Sequence, residues 1–165
     1  IMTISPRFNV IRMVAEYVRK LYAPAALPGR RFTGDNFAVA RTVAEWKAKV
    51  RAAWPGVRLH RLDTPERRLA FGTSLRLQVA VQLNGLSPDD VTVEALIGRP
   101  GPNGSFSRRA RHYPLNSEGL TGNGEMLYTI DLTPELCGKL DYQIRIFPSH
   151  PALIHKFEPG LMIWL

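Results

Sequence analysis

The sequence predicts an α+β protein in which two amphipathic helices precede an antiparallel β-sandwich. Three observations predict it. Apolar residues recur at helical spacing in the first third of the chain. From Val57 they recur at every second position, and turn-forming clusters divide that region into short runs. The expected division is 1–56, helical, and 57–165, sandwich.

The first helix is expected to start at Ser5-Pro6, a capping hydroxyl followed by a proline whose missing N–H costs nothing in the first turn. Val10, Met13, Val14, Tyr17, Val18 and Leu21 then form one apolar stripe. Pro24 is expected to end the helix, leaving 25–31 as a Pro/Gly connector. Thr33 or Asp35 would cap a second helix with the stripe Val39, Val43, Trp46, Val50 and Trp54, which Pro55-Gly56 stops. Lys47, Lys49 and Arg51 lie near its end, where positive charge suits the helix dipole.

Beyond Val57 the clearest strand is LRLQVAVQL, with Leu75, Leu77, Val79, Val81 and Leu83 on one side. The runs 91–98, 126–132 and 139–147 read as further strands. Weaker ones fit VRLHRL, ARHYPL and GLMIWL. Short strands at this spacing predict an Ig-like sandwich, although the Cys–Trp–Cys pattern of antibody domains is missing. A single cysteine, Cys137 in TPELCG, excludes a disulfide framework and reads as a partly buried thiol.

The chain has 165 residues and a formal net charge of +8. Residues 1–56 hold ten Lys/Arg against three Asp/Glu, and residues 57–165 hold twelve against eleven. A basic helical part joined to a near-neutral one predicts that the first part faces something acidic. No apolar run approaches the roughly 18 residues of a membrane span. With no secretion-signal pattern at the N-terminus, the expected compartment is the cytoplasm.

No catalytic constellation emerges. His60, His112, His150 and His155 lack the neighbours a metal would need and are expected in loops or at sheet edges. The Gly-rich stretches GLTGNGEM and GRPGPNGS lack the strand–helix context of a phosphate loop and read as hairpin loops. Ser149 beside His150 lacks the glycines of a nucleophile elbow. Asp89-Asp90 follows Pro88 and reads as a turn start. The tract Ser107–Tyr113 would suit phosphate, but reads better as a charged strand edge. Trp46, Trp54 and Trp164 fall in apolar patterns and are expected in the core. The expected catalytic, cofactor-binding and metal residues are therefore none.

The residues nevertheless resemble a family. PRFNVIRMVAEYVRKLYAPA contains PRFN, RMV, EY and Y-x-P in the order seen in short-type bacterial and archaeal α-glucan phosphorylases. AEWKAKVRAAWPGV, LNGLSPDDVTVE and FPSHPALIHKFEPGLMIWL continue the resemblance, from about Pro6 to Leu165. It implies the C-terminal region of a glycosyltransferase that moves glucose from the non-reducing end of an α-1,4-glucan to phosphate, giving α-glucose 1-phosphate. It also implies pyridoxal phosphate in the parent, held by a lysine upstream, since none of Lys20, Lys47, Lys49, Lys139 and Lys156 sits in such a motif. This chain alone is not expected to catalyse. A start without an initiating Met is read as fitting an excised piece.

The implied partners are the catalytic lobes of the same parent chain, with α-glucan and phosphate as parent substrates. A homo-oligomer stays open. Two alternatives compete with this reading. One is a carbohydrate-binding module, for which Phe106, Tyr113 and Tyr128 would be exposed platforms. The other is a basic nucleic-acid-binding module, disfavoured because the Pro/Gly connector is too long for a helix-turn-helix.

Overall fold

In a computed structural model of the chain, the described residues are 9–64, 70, 72–101, 110–133 and 138–165. Ser5, Pro6, Phe106, Ser107 and Cys137, named above, lie outside them. The chain forms two compact units, Ile1–Trp46 and Lys47–Leu165.

The first unit is helical. α1 (Val10–Tyr17) is capped by Asn9, whose side chain accepts from the Arg12 N–H at 2.7 Å. A π-turn, Val18–Tyr22, comes next and passes into α2 (Ala23–Ala53). Pro24 therefore does not end the helix, and 25–31 is helical rather than a connector. The reason is the π-turn: Ala23 N–H reaches back five residues to the Val18 carbonyl. That wider turn relieves the clash a proline ring makes with the preceding turn. The break comes later, at Gly34–Phe37, where Asp35, Asn36 and Phe37 are all left-handed. Asp and Asn tolerate that conformation, whereas for Phe37 it is strained. Thr33 and Asp35 do not cap the helical turns beyond this break. The Thr33 hydroxyl donates backwards to Gly29 O at 3.0 Å, and Asp35 lacks the extended backbone of an N-cap.

The second unit is a sandwich of two four-stranded antiparallel sheets. Its strands are β1 (Arg58–Arg61), β2 (Leu75–Gln82), β3 (Val91–Gly98), β4 (Arg111–Pro114), β5 (Asn116–Leu120), β6 (Met126–Leu132), β7 (Asp141–Pro148) and β8 (Ile163–Trp164). The sheet orders are β1-β2-β6-β5 and β4-β3-β7-β8. Lettered in chain order, these are A-B-E-D and C′-C-F-G, the immunoglobulin arrangement with one added edge strand.

The core arises from the period-two pattern. Leu77, Val79 and Val81 of β2 are fully buried, as are Ala95, Val93, Ile144 and Ile146 across the β3–β7 pair. Burying each Val, Leu or Ile side chain among them stabilises by about 1.5–3 kcal/mol. β5 has no counterpart among the strands expected from the sequence, because every one of its residues is exposed and it shows no alternation. GLTGNGEM supplies the β5–β6 hairpin loop, with Gly124 at φ 78°.

The last turns of α2 belong to this second unit. Lys49 Nζ lies 2.8 Å from Asp90 Oδ2, Lys47 pairs with Glu158, and Asn84 Nδ2 donates to Ala53 O at 2.8 Å. Asn84 thus satisfies one of the carbonyls a helix end leaves orphaned. Gly56 makes room for it, since a Cβ there would sit 2.2 Å from Asn84 Nδ2. Asp89-Asp90 does open a turn: Ser87 and Asp90 form a capping box around Pro88–Asp90.

Candidate functional site

The outer face of the β4-β3-β7-β8 sheet holds the densest chemistry among the described residues. β3 and β7 face the core through Val93, Ala95, Ile144 and Ile146, so period two turns Glu94, Leu96, Arg145 and Phe147 outward. Yet these four are buried as well, Glu94 at 5% and Arg145 at 7% exposure. The segment after β7 returns over them. Phe157 meets Phe147 edge-on at 5.2 Å, and the Arg145 guanidinium lies near the rings of Phe157, Trp164 and Phe147, at 4.8, 5.1 and 5.6 Å from their centroids.

Glu94 and Arg145 stand opposite each other in the β3–β7 register and form a buried ion pair. Arg145 Nε donates to Glu94 Oε1 at 2.6 Å, and Nη2 donates to the same oxygen. His112 Nδ1 is 3.2 Å from Oε1, and Lys156 Nζ is 3.5 Å from Oε2. The His112 tautomer protonated at Nδ1 suits that carboxylate acceptor. Burial pushes the Glu94 carboxyl up, but hydrogen bonds from Arg145 and His112 and the charges of Arg145 and Lys156 outweigh it and hold its pKa below the ordinary 4.5. One carboxylate thus serves two permanent cations, leaving the cluster net positive.

Trp164 pairs with Arg145 in the β7–β8 register, but it is not a core residue as expected. It is 48% exposed, with Arg145 over its ring. Trp46 and Trp54 are buried, in line with their apolar patterns. Tyr128, expected as an exposed platform, is buried on β6, because its alternation points it inward with Leu132. Its hydroxyl donates to Pro88 O at 3.5 Å, and burial together with the Asp89 charge pushes its pKa up to about 12. Tyr113 is half-buried on β4.

The other sequence-named groups are dispersed. His60 Nε2 lies 3.5 Å from Glu125, while His150 and His155 each accept a backbone N–H two residues on, from Ala152 and Phe157. Arg111 and His112 lie on edge strand β4, and the rest of the basic tract up to Arg109 is outside the described residues. Among the described residues no group of three or more His, Cys, Asp or Glu could hold a metal ion, and no helix is long and apolar enough to cross a membrane. The Glu94–Arg145 pair was missed in the sequence. The signal was present as a charge inside each of two apolar strands, VTVEALIG and YQIRIF.

In the helical unit the chemistry is simpler. Val10, Ile11, Met13, Val14, Tyr17, Val18, Leu21 and Tyr22 are all exposed. The opposite side carries an ion ladder, with Glu16 3.0 Å from Arg12 and 3.2 Å from Lys20. The hydrogen bond from Lys20, then that from Arg12, lowers the Glu16 pKa.

The family described as glycogen phosphorylase C-terminal domain matches residues 54–165. The chain is 34% identical over 163 residues to a glycogen phosphorylase of Mycobacterium tuberculosis (strain ATCC 25618 / H37Rv), covering 97% of this chain. It is 32% identical over 163 residues to a glycogen phosphorylase of Mycobacterium bovis, again over 97% of this chain. It is 34% identical over 166 residues to a maltodextrin phosphorylase of Thermococcus litoralis, covering 99% of this chain. The chain spans only 19% of the length of each of these curated relatives.

Proposed function

Because the chain belongs to the glycogen phosphorylase C-terminal domain family, we propose that it acts as the non-catalytic C-terminal region of an α-glucan phosphorylase. The parent transfers glucose from the non-reducing end of an α-1,4-glucan to phosphate, giving α-glucose 1-phosphate. The observation that carries this reading is the extent of the match: nearly all of this chain aligns, to about a fifth of each relative. Residues 1–56 are then the end of the catalytic region, and 57–165 an appended sandwich.

The exposed stripe of α1 supports the same reading. Val10, Met13, Val14, Tyr17 and Leu21 present a continuous apolar side that no described residue of the helical unit covers. An amphipathic helix gains its stability by burying such a side. The catalytic lobes of the parent are its partner, and the basic balance of the helical part suits a more acidic surface there.

Pyridoxal phosphate belongs, on this reading, to the remainder of the parent, in the cytoplasm. A Schiff-base lysine needs a desolvated amine free to react. Lys20, Lys47, Lys49 and Lys156 are held in ion pairs, and Lys139 is exposed. These residues do not fit the cofactor, and no catalytic step is assigned to them.

The test is phosphorolysis by the full-length parent, with and without residues 57–165, beside the 165-residue chain alone. Release of α-glucose 1-phosphate is expected from the parent and not from the chain. An upstream reading frame without a catalytic region would overturn the proposal.

A further inference from the structure

The hydrogen bonds of the buried Arg145 guanidinium are unevenly satisfied. Nε and Nη2 both donate to Glu94 Oε1. Among the described residues, Nη1 meets only the Met162 thioether sulfur, at 3.9 Å. A thioether is a weak acceptor, and a buried charged N–H gains far more from an oxygen. The Arg145 side chain is buried, so little solvent makes up the difference. Nη1 is thus a strong donor held against a poor acceptor.

Met162 stands in the segment that returns over the β4-β3-β7-β8 face, immediately before β8. It is partly exposed, so a small oxidant reaches its sulfur. Oxidation of a methionine usually disrupts a core, because a polar sulfoxide replaces an apolar thioether. Here the neighbour reverses the sign. A sulfoxide oxygen stands one bond out from the sulfur and takes the acceptor place at Nη1 that the sulfur fills poorly. The three rotatable bonds of the side chain let it turn that oxygen inward. Glu94 does not compete for the place, since its carboxylate sits on the Nε–Nη2 edge of the guanidinium.

We propose that Met162 is a redox-modification site, at which a peroxide forms a sulfoxide whose oxygen accepts from Arg145 Nη1 and fastens the returning segment to the sheet. A sulfur lone pair attacks one peroxide oxygen. The S–O bond forms as the O–O bond breaks, and with hydrogen peroxide the second oxygen leaves as water after a proton passes between the two oxygens. The sulfur loses two electrons and the peroxide gains them. A methionine sulfoxide reductase reverses the change with a dithiol, which becomes a disulfide while the oxygen departs as water. The site rests on Arg145 and Met162 and is independent of the phosphorylase reading.

Treatment of the 165-residue chain with hydrogen peroxide, followed by peptide mapping in a mass spectrometer, tests it. Met13, 46% exposed, is the internal reference. Met162 is expected to gain one oxygen over the same range of peroxide as Met13, and the oxidised chain to melt about 2–4 °C higher than the untreated one. Met162→Leu, oxidised in the same way, should show no such rise. Met162→Gln carries an amide oxygen without any oxidant and should melt above Met162→Leu. Reduction by a methionine sulfoxide reductase and a dithiol should return the wild-type midpoint to its starting value. Met162 left unmodified when Met13 is fully converted overturns the site, as does an oxidised chain that melts no higher than the untreated one. An equal rise in oxidised Met162→Leu, or a rise that survives complete reduction of Met162, assigns the effect elsewhere and defeats the proposal. A glutamine variant that melts below the leucine variant removes the hydrogen bond to Arg145 and the proposal with it.

Discussion

Val10 and Val79 are the same residue in opposite situations. Val10, on α1, is 68% exposed, and Val79, on β2, is 0% exposed. Both belong to regular apolar stripes, one of helical period and one of period two. The sandwich completes its own core: two sheets close on each other, and the returning C-terminal segment covers the second face of β3 and β7. The α1 stripe has no such closure among the described residues of its own helical unit. The comparison teaches that a stripe in the sequence announces a surface to be buried, but not whether the same stretch of chain supplies the cover. Mutations in the two regions should therefore differ sharply in their effect on stability.

The largest effect is expected at the buried ion pair. Glu94→Gln leaves the Arg145 guanidinium without its counter-charge, at 7% exposure and between aromatic rings. Breaking such a pair from one side costs about 3–5 kcal/mol, to be read from the urea midpoint. A variant that unfolds at the wild-type midpoint would mean the sandwich does not depend on this face. The pair also sets an acid limit. Glu94 has a pKa below its ordinary 4.5 in the folded chain. Its stabilisation is therefore fully present above that ordinary value and is lost as pH falls through the lowered one. Wild type should lose stability on acidification below about pH 4.5 more steeply than Glu94→Gln.

A smaller loss is expected at the junction of α2 with the sandwich. Asp90 accepts from Ser87 N–H at 2.8 Å and pairs with Lys49 at 2.8 Å. Asp90→Ala removes both, and losing a cap of this kind costs roughly 0.5–2 kcal/mol. Lys49→Ala should cost less, because Lys49 is half exposed and an exposed pair is worth about 0–1 kcal/mol. Thermal midpoints of the two variants, compared in one buffer, separate the contributions.

These positions also show what the sequence could and could not reveal. β2, β3, β6 and β7 were legible because each alternates between core and outside, or is apolar throughout. The stop at Pro55-Gly56 was legible because backbone chemistry alone decides it. β5 was not: as an exposed edge strand it has no side to bury, so nothing in NSEGL records its pairing with β6. The helix through Pro24 was hidden because a π-turn absorbs the proline, whereas the break at Gly34–Phe37 has local signals in Gly34, Asp35 and Asn36, residues that accept non-helical backbone. The candidate site was partly hidden because its cluster is assembled from β3, β4, β7, β8 and the returning segment. Glu94 and Arg145 are 51 residues apart, and only the strand register makes them partners.

Tyr128→Phe should change stability by less than about 1 kcal/mol, since its 3.5 Å hydrogen bond to Pro88 O is long and its ring stays in place. The sharper readout is spectroscopic. Tyr128 ionises only near 12, so the ultraviolet titration of wild type should contain a late tyrosinate step that the variant lacks. A titration without that step would mean the β6 phenol is not sealed from water, and the contrast with the exposed helix would narrow.

The smallest effect on stability is expected where the stripe is open. Changing Val10, Met13 and Val14 together to serine removes apolar surface that already meets solvent, so the sandwich midpoint should move by no more than about 0.5 kcal/mol. The same change should act strongly on association. An uncovered apolar patch finds a partner in whatever is present, including other copies of the chain. Sedimentation velocity across a concentration series should show the wild-type 165-residue chain self-associating and the serine variant staying monomeric. On the proposed reading, in which the catalytic lobes of the full-length parent would cover the stripe, the three serines should instead lower the parent's thermal midpoint. If they leave the parent as stable as wild type, the stripe is not an internal interface and the assignment of α1 to the catalytic region fails, while the buried core of the sandwich stands unaffected.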